Sequence, residues 1–208
     1  MEKIRLELAG IEKRYGSRRV LRDFSFQAEG GEVVAITGVN GSGKSTVVKL
    51  IAGLLRAGKG TITLSVEGHD QSDPAQRRRL CGYVSPDLTL YPELTARENL
   101  RFFSEVRGVR NNDSTIAAQL EAVGLGGRED DLLGTYSSGM RQRVKLVLAT
   151  LFSPPLLLLD EASLALDEAG TVLVAERIAQ QQARGGLTLI ATNDPREVAL
   201  AQRIIALS

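Results

Sequence analysis

The chain has 208 residues, 43% of them hydrophobic and 25% charged, with a net charge of +1 and one cysteine, Cys81. That length suits a single globular domain able to bury a core without disulfides or metals, and the near-neutral balance removes any global electrostatic case for nucleic acid. No run approaches the roughly 20 apolar residues of a membrane span, and the charge-interrupted start "MEKIRLELAG" is unlike a secretory signal, so a soluble protein with a reduced core thiol is expected.

In chain order, Ile4, Leu6 and Leu8 alternate with charged residues, as Ile62, Leu64 and Val66 do with polar or small ones. This period of two predicts half-buried strands of a small antiparallel sheet. By contrast "VVAIT" (Val33 to Thr37), "LLLL" (Leu156 to Leu159), "LTLIAT" from Leu187 and the terminal "IIAL" are continuous apolar runs. Such runs suit parallel strands covered on both faces, and the helical patterns between them make the fold class α/β. His69, the only histidine, lies in a turn-like segment and is expected to be an exposed loop residue; Arg77 to Arg79 read as a solvated helix face. From Leu94 to Gly124 the chain carries helical spacing with no strand signal, with Gly108 and Asn111 to Asp113 marking a loop between two helices.

Two stretches carry chemistry. "GVNGSGKST", Gly38 to Thr46, follows a buried strand and opens an apolar-periodic helix, satisfying G-x-x-x-x-G-K-[ST] in the context its mechanism needs. Gly38, Gly41 and Gly43 let backbone NH groups approach phosphate oxygens, with Asn40, Ser42 and Thr46 in the same cradle. Lys44 is expected to reach the β- and γ-phosphates, and the Ser45 hydroxyl to bind Mg²⁺. "LLLLDEAS" then sets Asp160 and Glu161 at the carboxyl end of a buried strand, where open α/β sheets bind ligands. Adjacent strand residues point to opposite sides, so Asp160 is expected to serve Mg²⁺ and Glu161 to polarise the attacking water.

Between these lies "TYSSGMRQRVKLVLATLF", with Ser137 placed to cap a helix whose Val144, Val147, Leu148 and Leu151 follow helical spacing. As "YSSGM" it resembles the signature sequence, usually LSGGQ, of ATP-binding cassette (ABC) ATPases, and with the two stretches above the ordered motifs are similar to that family from end to end. The resemblance implies a P-loop NTPase core with a mostly parallel central sheet, a small amino-terminal antiparallel β-subdomain and a helical insertion at approximately 94–140, the whole of 1–208 forming one cassette. It implies that Tyr15 stacks on adenine and that Ala162 to Asp167 form the D-loop at a dimer interface. It further implies a head-to-tail dimer, of two copies or of this chain with a paralogue, in which Ser137 and Gly139 of one subunit meet the γ-phosphate held by the other.

Two positions depart from the family pattern. Aligning "CGYVSPDLTLYPELTARENL" puts Pro86 where the family has a glutamine that contacts Mg²⁺ and water, leaving Ser85 or Asp87 as candidates for the contact. Asn193 stands at the position of the family's switch histidine, and an amide can donate a neutral hydrogen bond to phosphate but cannot carry a positive charge. With Glu161 retained, slow hydrolysis is the expectation. The resemblance implies an ATP- and Mg²⁺-dependent subunit of an ABC transporter, held at the inner face of the cell membrane by a transmembrane permease partner whose helix would meet the segment "LYPELTARENLRFF". The compact length looks like exporters, including the haem-exporter type associated with cytochrome c maturation. The alternative is a non-transport or hydrolysis-deficient ABC module that acts as an ATP-gated structural or regulatory partner.

Overall fold

The alternation read from the sequence becomes a four-stranded antiparallel sheet. Strands β1 (Ile4–Tyr15), β2 (Arg18–Glu29), β4 (Lys59–Val66) and β5 (His69–Asp70) lie in the order β2-β1-β4-β5. Leu6 pairs with Leu64 and Leu8 with Ile62, so the apolar side chains share one face. Residues 3–109 and 112–207 are described in this computed structural model. His69 is exposed as expected, although it sits in β5 opposite Val66 rather than in a loop.

The second sheet is parallel, in the order β6-β7-β8-β3-β9. Its strands are β3 (Val33–Gly38), β6 (Cys81–Val84), β7 (Leu156–Asp160), β8 (Leu187–Ala191) and β9 (Arg203–Leu207). Every residue of β7 and β8 is buried, which explains why neither alternates. Leu156 and Leu158 pack toward the antiparallel sheet and α1 (Lys44–Ile51). Leu157 and Leu159 pack the other way, with residues of α5 (Ser138–Thr150) and α6 (Glu168–Ala183). The run "IIAL" corrects the expectation of two-sided cover. As β9 it pairs only with β3 at the sheet edge, and Ile204 is 55% exposed.

The stretch from Leu94 holds α3 (Ala96–Val106) and α4 (Asp113–Glu121). Thr95 opens α3 with a reciprocal capping box to Glu98, and Asn112 caps α4 by accepting from Thr115 N. Asp113 is therefore the first residue of α4 and not part of the loop; Asn111 lies outside the described residues. Leu100, Ile116 and Leu120 join Val144 and Val147 of α5 in a hydrophobic cluster of their own.

The tri-arginine run is also corrected. It lies in α2 (Pro74–Leu80), and while Arg78 and Arg79 are exposed, Arg77 is only 4% exposed. Its guanidinium donates to the carbonyls of Ser72 (2.7 Å), Ile62 (3.3 Å) and Leu50 (3.3 Å), bolting the end of α1 to the antiparallel sheet. Spacing cannot distinguish such a bolt from a solvated arginine, because the acceptors are distant in sequence. Cys81 is a buried thiol, its pKa pushed up to about 12 by burial.

Parallel register brings the ends together. Ile36 and Asp160 both pair with Ala191, and β6 runs beside β7 with Val84 opposite Leu159. Gly38, Asp160, Thr192 and Ser85 thus leave the sheet along one carboxyl edge.

Candidate functional site

The phosphate loop closes between β3 and α1. Gly43 precedes α1 at φ +109°, and a Cβ there would meet Val20 Cγ1 at 2.8 Å. No side chain caps the helix, so its first NH groups face the loop. Gly38, at φ +145°, has Leu207 O and Ser42 Oγ against its open side, so a side chain there would break the close passage of β9. Gly41 is held from outside by Arg18, whose guanidinium donates to its carbonyl at 3.0 Å. Lys44 is buried, and its ammonium donates to Gly38 O at 2.7 Å and Val39 O at 3.4 Å, so it lies across the loop. Ser42 and Thr46 are also buried, and Ser42 Oγ has no hydrogen-bond partner.

The second stretch meets the first directly. Ser45 Oγ donates to Asp160 Oδ1 at 2.9 Å, joining the helix that follows the loop to the end of β7. Burial pushes the Asp160 carboxyl up, the Ser45 hydrogen bond pulls it down, and the neighbouring Glu161 charge raises it again. Among the described residues no group of three His, Cys, Asp or Glu is arranged to hold a metal. One carboxylate and one hydroxyl on adjoining elements is, however, the hard-oxygen set that suits Mg²⁺, which draws its remaining ligands from water and phosphate. The residues present fit that ion.

Glu161 does not obey strand alternation. Strand β7 ends at Asp160, and Glu161 takes the left-handed conformation (φ +50°) while its NH donates to Ala191 O at 3.0 Å. That kink, rather than the strand, sets its direction. Glu161, Asn193, Asn40, Thr192, Ser163 and Glu197 line a cavity of about 460 Å³.

Asn193 is brought to the loop. Its Oδ1 accepts from Gly38 N at 3.3 Å and its Nδ2 donates to Asn40 Oδ1 at 3.4 Å. The turn before Pro195 is capped by Asp194, which accepts from Arg196 N, so Asn193 is not needed for capping. Tyr15 ends β1, 48% exposed, with the Lys13 ammonium 5.4 Å from its ring centroid. The hairpin it begins also carries Arg18, the residue that grips Gly41.

Ser137 caps α5 as expected, accepting from Met140 N at 3.2 Å. Ser137 and Gly139 line a separate cavity of about 380 Å³ with Arg128, Arg143 and Asp167. The segment from Ala162 to Asp167 runs between the two cavities, and Ala165 lines both. It is pinned from several sides: Gln142 Nε2 donates to Ala162 O (2.7 Å), Ser163 N donates to Glu197 Oε1 (2.7 Å), and Arg143 pairs with Asp167 (2.9 Å).

Beyond β6, Pro86 is exposed and offers only its carbonyl, which Lys145 holds together with that of Ser85, both at 3.2 Å. Asp87 is occupied by Lys49 of α1 at 2.5 Å. Further along the chain Tyr91 and Phe102 are exposed and pack edge to face at 5.2 Å, whereas Phe103 joins the helical cluster. Sequence reasoning missed Arg18, Lys49, Gln142, Arg143, Lys145 and Glu197. None falls in a motif, and each acts on a group far along the chain.

Comparison with known proteins bears on this geometry. The family model described as ABC transporter matches residues 21–164. The uncharacterized ABC transporter ATP-binding protein YdbJ of Bacillus subtilis (strain 168) is 35% identical over 202 residues, covering 96% of this chain and 65% of that protein. The cytochrome c biogenesis ATP-binding export protein CcmA of Rhodopseudomonas palustris (strain BisB5) is 35% identical over 190 residues, 91% of this chain and 92% of that protein. A solved ATP-binding subunit of an ABC transporter superposes with a TM-score of 0.85 at 32% identity, over 97% of this chain and 85% of that one. The chain spans between 60% and 65% of the length of the first curated relatives it matches.

Proposed function

The chain belongs to the ABC transporter ATP-binding family, and from that premise we propose that it is a Mg²⁺-dependent ATPase subunit whose ATP-driven dimerisation powers a transporter. The observation that carries this is the 2.9 Å contact between Ser45 Oγ and Asp160 Oδ1, which joins the phosphate loop to the acidic strand.

In this reading the loop NH groups from Gly38 to Thr46 hold the phosphates, and Lys44 turns its ammonium from the loop carbonyls toward the β- and γ-oxygens. Ser45 and Asp160 hold Mg²⁺, which when bound neutralises charge developing on the phosphates. Glu161 orients the attacking water and takes its proton. Asn193 offers its amide to the γ-phosphate region, and Tyr15 its ring to the adenine. Ser137 and Gly139 line a cavity apart from that of Glu161 within one chain, which supports their serving the nucleotide of a second cassette in a head-to-tail pair. In this assignment 1–208 is one cassette, with approximately 94–140 as its helical subdomain.

The exposed Tyr91 and Phe102 pair, in the segment that follows Pro86, supports contact with a transmembrane permease at the inner face of the membrane. No helix of the described residues is long and apolar enough to cross a membrane, so the partner supplies the path. Asn193 and Pro86 make hydrolysis slow, since the amide donates a hydrogen bond but carries no positive charge and Pro86 offers no side-chain donor at all, and losing one oxyanion donor is worth about 10² to 10³ in rate. Steady-state phosphate release at saturating Mg-ATP tests the reading. Slow release that the permease accelerates supports it; ATP-dependent dimerisation without release, even with the permease, sinks hydrolysis and leaves an ATP-gated structural module.

A further inference from the structure

Ser85 is buried with 0% exposure, and among the described residues its Oγ makes no hydrogen bond of good geometry, its nearest hydroxyl neighbour being that of Tyr83. A buried hydroxyl left so weakly satisfied is costly and calls for an explanation. Its surroundings suggest one. Strands β6 and β7 pair in parallel with Cys81 opposite Leu156, Tyr83 opposite Leu158 and Val84 opposite Leu159. Continued by one step, that register sets Ser85 opposite Asp160. Cys81, Tyr83, Leu156 and Leu158 belong to the cluster on the α1 side of the sheet, whereas Val84 and Leu159 belong to the opposite cluster. By the period of two, Ser85 falls with Asp160 on the α1 side, on a strand about 4.8 Å away. Asp160 confirms its own side by accepting from Ser45 of α1.

The backbone there is held firmly. Lys145 of α5 donates to the Ser85 and Pro86 carbonyls, and Lys49 of α1, one turn beyond Ser45, grips Asp87. The Tyr83 hydroxyl, which lies beside that of Ser85 and feels the Asp160 charge, completes a small polar corner beside the carboxylate. Pro86, exposed and without a side-chain donor, does not enter it.

We propose that Ser85 is a positioning residue for the bound Mg²⁺, its hydroxyl accepting from a metal-held water or donating to Asp160, and so serving from the neighbouring strand in place of any side chain at Pro86. A hydroxyl can do either, being both donor and acceptor. The proposal rests on the reading of Ser45 and Asp160 as the Mg²⁺ residues.

The test is calorimetric binding of AMP-PNP, a non-hydrolysed ATP analogue, in EDTA and in saturating Mg²⁺, for the full chain and its variants. The readout is the gain in affinity that Mg²⁺ confers. Ser45→Ala removes most of that gain. Ser85→Ala reduces it about three- to tenfold, the value of one hydrogen bond, while affinity in EDTA and the nucleotide-free melting temperature stay at wild-type values or above. Ser85→Gly, which deletes the same hydroxyl, shows the same loss of metal gain. An unchanged gain in Ser85→Ala beside a lost gain in Ser45→Ala overturns the role of Ser85 alone. An equal fall in both conditions with a lower melting temperature makes Ser85 structural and also overturns it. A full gain in Ser45→Ala overturns the metal reading and the proposal together.

Discussion

Asn193→Ala separates the two things Asn193 can be doing. Both its hydrogen bonds are long, 3.3 Å from Gly38 N and 3.4 Å to Asn40 Oδ1, and the residue is exposed. Water can replace each partner, so the stability cost is below about 0.5 kcal/mol. For a domain of this size that shifts the melting temperature by less than about 2 °C. Catalysis is affected differently if the amide donates to the γ-phosphate as negative charge moves. A neutral hydrogen bond contributes about 0.5 to 1.5 kcal/mol, which is a fall of about two- to tenfold in turnover. Asn193→His acts in the opposite direction, since an imidazole can carry the charge an amide cannot. Differential scanning fluorimetry and a coupled phosphate-release assay give the two numbers. Turnover unchanged in both variants, with or without a stability change, refutes the placement of Asn193 at the γ-phosphate.

The remaining predictions concern the frame and the loop. Arg77→Met keeps the apolar stem but strands the buried carbonyls of Ser72, Ile62 and Leu50, and a loss of about 2 to 4 kcal/mol in urea unfolding is expected; a cost under 0.5 kcal/mol would mean Arg77 is no bolt. Cys81 should resist Ellman's reagent at pH 8 in the native state and react at once in denaturant, because its thiol is held at about 12. The same shift, upward from an ordinary 9.0, gives stability fully present below pH 9 and lost as pH rises toward 12; Cys81→Ala should flatten that alkaline slope, and an unchanged slope counts against the shift. Arg18→Ala releases the Gly41 carbonyl and should weaken ATP binding severalfold in equilibrium titration, with unaltered affinity showing that the loop needs no outside grip.

How far the sequence disclosed this arrangement depends on the range of each interaction. The phosphate loop and the Ser137 cap are local, so spacing alone exposes them. Continuous apolar runs located the parallel strands, and adjacency of loop and acidic strand followed from the family pattern. Failures came where the third dimension decides. "IIAL" looked like a core strand but lies at an edge, because composition does not report how many neighbours a strand has. Arg77 looked solvated because its acceptors are 5 to 27 residues away. Glu161 was assigned its side by strand alternation, which ceased to apply once its backbone turned left-handed. Ser85 and Asp87 stood as equal candidates beside Pro86; register against Asp160 favours Ser85, while Asp87 is held by Lys49.

In the proposed function, hydrolysis by this cassette depends on Glu161, beside the joined Ser45 and Asp160. Phosphate release at saturating Mg-ATP, compared between the wild-type chain and Glu161→Gln with ATP binding measured on the same samples, tests it most directly. Wild type should release phosphate slowly but measurably, and Glu161→Gln should release none despite unimpaired ATP binding. Equal release by the two proteins would contradict it.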